Sequence, residues 1–124
     1  IADHVRHNIA GLEWAGNTGK MIANLMFKKE CMCKTYTLST GHRMTWEDVA
    51  NVYVKYLGLK VEWMPKEEYK KRFGSFRYPL EYDRAYNREV DNTAILQATG
   101  LRQGDFTPFE EGVKIELKKL NAIK

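Results

Sequence analysis

The residues best suited to chemistry are Arg84, Tyr86, Asn87 and Arg88, inside the run Tyr82-Asp83-Arg84-Ala85-Tyr86-Asn87-Arg88-Glu89-Val90-Asp91. Nothing in that run repeats with a helical or strand period, so it is expected to be a loop. An arginine fork grips phosphate or carboxylate with two parallel N–H bonds, and a neighbouring tyrosine or asparagine can fix a ribose or sugar hydroxyl. The four side chains therefore define a candidate binding site for a small anionic molecule, with Arg77 a weaker addition from the preceding segment. The same stretch also reads as a surface loop in which Arg84 and Arg88 pair with Asp83, Glu81 or Glu89.

No catalytic group, metal site or cofactor site emerges beside them. Tyr56 and Lys60 have the spacing of a catalytic tyrosine–lysine pair, but Gly58 stands between them where a helix ends, so they would not share a face. The run Gly16-Asn17-Thr18-Gly19-Lys20 resembles the tail of a phosphate loop, yet Trp14 and Met21 occupy the glycine and hydroxyl positions; a helix-ending turn is expected instead. His4 and His7 lie three apart without a third ligand, and His42 is isolated. Cys31 and Cys33 are too few for structural zinc and poorly spaced for a staple, so reduced thiols in a cytoplasmic protein are expected.

Composition bounds the rest. The chain has 124 residues, enough for one domain, and its 44% hydrophobic content can fill a core. Its longest apolar runs fall far short of the roughly 20 residues that cross a bilayer, so no membrane partner is expected. A net charge of +4 permits a polyanion, but Lys66, Lys70, Lys71 and Arg72 are interleaved with Glu67 and Glu68, which suits a solvated helix better than a nucleic-acid footprint. Ile1-Ala2-Asp3-His4-Val5 reads as the interior of a longer sequence and carries no secretory pattern.

Patterning predicts an α+β, mainly helical fold of five to six helices with two short strands. Ala2, Val5, Ile9 and Leu12 suggest a helix from 2 to about 15, and Met21, Ile22, Leu25 and Met26 a second over 18–31. Residues 35–39 and 60–64 read as strands flanking a helix capped by Thr45 and stopped by Gly58, a βαβ-like unit. Met44 is placed to staple onto Val49, and Trp14, Trp46 and Trp63 are expected in the core. Further helices are expected at 66–73, at 92–99 behind Asp91, and from Thr107-Pro108-Phe109-Glu110 onward, where a capping box precedes Val113, Leu117 and Leu120.

This order of elements resembles the extended short-chain dehydrogenase/reductases, the NAD-dependent epimerase/dehydratase family. The resemblance rests on four segments. Ile1-Ala2-Asp3-His4-Val5 is similar to the family's hydrophobic-aspartate opening of a helix. Residues 34–41 with Met44-Thr45-Trp46-Glu47-Asp48-Val49 resemble its strand, glycine and capped helix. Residues 91–101, ending Thr99-Gly100-Leu101, and Thr107-Pro108-Phe109-Glu110-Glu111-Gly112-Val113 resemble its closing elements.

The resemblance covers nearly the whole chain but only the C-terminal, substrate-binding lobe of that family. It implies that residues 1–124 are a fragment of a larger α/β enzyme whose nucleotide-binding domain, NAD or NADP site and catalytic Tyr/Lys pair precede Ile1, so that this part alone is not catalytic. It places Arg84 and Asn87 where the family holds the diphosphate and ribose of a nucleotide-sugar. Ala85-Tyr86 replaces the usual Pro-Gly, which leaves other anionic substrates open. Strand 35–39 would add to the edge of the absent sheet, so a homo-oligomer is expected. The competing expectation is a non-enzymatic basic module that binds protein or nucleic acid.

Overall fold

The helical spacing of Ala2, Val5, Ile9 and Leu12 does not yield a helix. In the computed structural model, which describes residues 1–74 and 78–124, only Asp3–Val5 forms a single 3-10 turn. Other backbone groups at its two ends find distant partners. Met64 N–H donates to Ile1 O at 2.9 Å, Asp3 N–H to Met64 O at 2.8 Å, and Ala10 N–H to Met44 O at 2.8 Å. Buried amides and carbonyls must be paired, but the pairing need not be local, and here tertiary partners override helical periodicity.

The chain forms two units, one of Ile1–Gly11, Arg43–Glu89 and Ile123, the other of Leu12–His42, Val90–Ala122 and Lys124. The first contains α2 (Trp46–Leu57), α3 (Lys66–Arg72) and one π-helical turn (Pro79–Asp83); the second contains α1 (Ala15–Leu25), α4 (Thr93–Thr99) and α5 (Phe109–Lys119). Mainly helical is thus correct. The βαβ unit is not: among the described residues no sheet forms, and the bridges are single residue pairs, Ala2–Met64 parallel and Ile9–Thr45 antiparallel. Residues 35–39 and 60–63 have strand composition without a partner strand, and strand character depends on pairing and packing more than on residue type.

In the first unit α2 begins as expected. Thr45 accepts the Asp48 amide while the Asp48 carboxylate accepts the Thr45 N–H, a complete capping box. The next two amides, of Trp46 and Glu47, donate to Asn8 O and Arg6 O, so the opening segment satisfies the orphan donors of this helix start. Gly58, at φ +64°, ends it in the left-handed region where a side chain would be strained. Ala2, Val5 and Leu80 form the core, with Trp46 and Tyr69 packed against it. The rings of Tyr69 on α3 and Phe73 just after it lie 4.8 Å apart between centroids, and Lys70 bonds Glu81 at 2.9 Å.

In the second unit α1 starts at Ala15 and stops at Leu25, so Gly16-Asn17-Thr18-Gly19-Lys20 opens a helix rather than ending one. Asn17, only 1% exposed, fixes this helix to the segment leading into α5: its Nδ2 donates to Thr107 O at 2.8 Å and its Oδ1 accepts Thr107 N–H at 2.9 Å. The Thr107 capping box is therefore absent; α5 begins behind an extended Pro108 with no side-chain cap. Trp14 lies on α5 at Gly112, where an added Cβ would come within 2.6 Å of the indole, and its Nε1–H donates to Glu116. That bond, with a second from Lys119, holds the Glu116 carboxyl below its ordinary range. Met21, Ile95 and Phe106 form the core, flanked by Tyr36 and Leu38. Asp91 caps α4 through the Thr93 amide, and Gly100 terminates it.

Candidate functional site

Residues 82–89 lie in the first unit, and Val90 and Asp91 in the second. The loop is entered through the π turn, where Leu80 is buried and Arg84 N–H closes on Pro79 O at 2.7 Å. Part of the expected loop is therefore helical, because Leu80 must reach the Ala2–Val5 cluster.

From Arg84 to Arg88 the loop runs along the opening segment and is tied to it three times. Asn8 Nδ2 donates to Arg84 O at 3.0 Å, Asn87 Oδ1 accepts Ile9 N–H at 2.8 Å, and Arg88 N–H donates to Ile9 O at 3.1 Å. Gly11 closes this region at φ +60°; a Cβ there would sit 2.5 Å from Arg88 Cβ. A glycine is needed for both the backbone angle and the space.

The four expected binding residues then divide. The Arg84 guanidinium lies 4.7 Å from the centre of the Trp46 ring, a cation–π arrangement that stiffens a long side chain. Tyr86 projects outward, 66% exposed. Asn87 uses its carbonyl oxygen on Ile9, and its Nδ2 has no partner among the described residues. Arg88 turns back onto Asp83 in an ion pair, and Glu89 is taken by Arg43 at 2.8 Å. Arg77 lies outside the described residues. Chemically the loop offers a stacked guanidinium, an amide donor and a phenol on a backbone fixed by three hydrogen bonds.

The other candidates separate. Helix α2 ends at Leu57, so Tyr56 and Lys60 do not share a helix. His4 Nε2 lies 3.3 Å from Leu80 O, and His7 Nδ1 3.5 Å from Glu47 Oε2. No cluster of three histidine, cysteine or acidic side chains able to hold a metal occurs among the described residues. Arg6 donates to Glu47, which holds that carboxyl below its ordinary range. Cys31 and Cys33 are free thiols.

Asn8, Ile9 and Gly11 were invisible as site-forming residues, since each acts through a contact some 75 positions away in sequence. Trp46 and Trp63, expected as core, are half-buried and serve as platforms for Arg84 and Arg6. Among the described residues no helix is long and apolar enough to cross a membrane. Comparison with protein-family models, curated proteins and solved structures finds no match for this chain.

Proposed function

We propose that this chain is the substrate-binding portion of an NAD- or NADP-dependent epimerase, dehydratase or reductase, a cytoplasmic enzyme acting on a nucleotide-sugar or similar anionic substrate. The observation that carries the reading is the anchored loop. Three hydrogen bonds to Asn8 and Ile9 fix residues 84–88 before any ligand arrives. A pre-ordered loop binds more tightly because less conformational freedom is lost on association.

In this reading Arg84 holds the diphosphate or another anion, and Asn87 Nδ2 and the Tyr86 hydroxyl take neighbouring sugar or ribose oxygens. Arg88 shapes the site through its ion pair with Asp83. The order of the capped segments at Thr45, Asp91 and Gly100 along the chain supports the same reading, since it parallels the epimerase/dehydratase family. The dinucleotide site and the groups that exchange hydride would come from residues other than these 124, and the assembly would be a homo-oligomer.

The test is equilibrium binding of UDP-glucose to the chain and to Arg84→Ala. A loss of about tenfold or more, about 1.4 kcal/mol, is expected for removing a charge-assisted contact. Unchanged affinity would overturn the assignment, and tight, steeply salt-dependent binding of DNA or RNA would favour the basic binding module instead.

A further inference from the structure

The second unit carries an apolar surface that the substrate loop does not use. Ile22, Leu25, Met26, Phe27, Met32 and Tyr36 line an open groove of about 260 Å³. Ile22, Met26 and Met32 are each exposed, and Phe27 is 96% exposed. Scattered apolar residues on a surface are ordinary, but a contiguous set around one groove marks an interaction site. Flexible thioethers such as Met26 and Met32 can repack around differing side chains.

Phe27 adds an independent observation. Its φ is +65°, a left-handed conformation that costs a bulky residue roughly 1–2 kcal/mol, and the ring held this way points into solvent. Within the unit this strain returns no core contact.

The charges around the groove select the occupant. Lys28 and Lys34 line it, and Lys29 is adjacent. The Lys28 ammonium is fixed at the rim by Ala98 O at 2.8 Å and Thr99 O at 3.0 Å. Lys29 and Lys34 enter no ion pair among the described residues. One carboxylate, Glu30, stands near Tyr36 and is outweighed. A second copy docking groove to groove would bring the same lysines to the same place, and like charges facing each other oppose that association.

We propose that this groove docks an acidic, amphipathic segment of another protein, with its apolar side chains against Met26, Phe27 and Met32 and its carboxylates toward Lys28 and Lys34. Two short fluorescent peptides with identical apolar residues, one with glutamates and one with lysines at the remaining positions, provide the probe for fluorescence anisotropy on the whole chain. The acidic peptide should bind at least tenfold more tightly, and its affinity should fall as salt rises. Phe27→Asn should weaken it about tenfold while leaving the fold intact, because asparagine tolerates the left-handed backbone. Lys34→Glu should narrow or invert the preference between the peptides. Equal binding of both peptides, binding of neither, or a self-association that Phe27→Asn abolishes would each overturn the proposal.

Discussion

Asn87 accepts the amide of Ile9 through Oδ1 at 2.8 Å while its Nδ2 stays without a partner among the described residues. One side chain thus anchors the loop with one atom and offers a donor with the other. The two roles are separable. Asn87→Asp keeps an acceptor for Ile9 but removes the donor and adds negative charge, so it should leave thermal stability nearly unchanged and weaken UDP-glucose binding about tenfold. Asn87→Ala should also lose about 1 kcal/mol of unfolding free energy and speed hydrogen exchange at the Ile9 amide. Equal binding by Asn87→Asp and the parent would remove Asn87 from the site.

Gly11 sets the space in which Arg88 lies. A Cβ at this position would sit 2.5 Å from Arg88 Cβ, on a backbone already at φ +60°. Gly11→Ala should therefore cost more than the 1–2 kcal/mol of left-handed strain alone, as read by chemical denaturation. A variant as stable as the parent would show that the loop moves away at little cost.

Asp48 links the start of α2 to pH. Backbone and side-chain hydrogen bonds from Thr45 hold its carboxyl below the ordinary range. A carboxyl lowered in the folded state stabilises fully above its unfolded value, and that contribution disappears as pH falls through the lowered folded value. The stability gap between the parent and Asp48→Asn should therefore be constant near neutrality and shrink below about pH 4. A gap that stays constant through that range would contradict the capping account.

Asn17 is the buried polar tie of the second unit. Asn17→Leu would leave the amide and carbonyl of Thr107 without their partner in a site that is 1% exposed. The expected loss is about 2–4 kcal/mol in denaturant melts, from two unsatisfied backbone groups. Asn17→Asp should cost less on the amide side, since it still accepts from Thr107 N–H.

What was legible in the sequence follows the range of the interactions. Helix α2 was readable because Thr45, Asp48 and Gly58 act within a few positions, and α4 because Asp91 and Gly100 do. The opening segment was misread because Ala2, Val5 and Ile9 have helical spacing, while backbone groups of Ile1 and Asp3 are claimed by Met64, of Ala10 by Met44 and of Ile9 by Arg88, far along the chain. Residues 35–39 and 60–64 were misread for the reverse reason: they have strand composition, but among the described residues their pairing is limited to the single bridge of Met64 with Ala2. At the loop, residue type alone singled out Arg84, Tyr86, Asn87 and Arg88. The pairing of Arg88 with Asp83 was one of the local alternatives, whereas the support of Arg84 by Trp46, far off in sequence, carries no local signal.

On the proposed function, residues 84–88 form a pre-ordered site for an anionic substrate. The most direct test is a titration of the isotopically labelled chain with UDP-glucose, followed by proton–nitrogen correlation spectra. The Trp46 indole N–H, the Asn87 Nδ2 protons and the amides of residues 84–88 should shift together along one binding curve, and Arg84→Ala should weaken that curve about tenfold. Shifts that miss these groups, or that spread over the exposed lysines with no saturation, would contradict it.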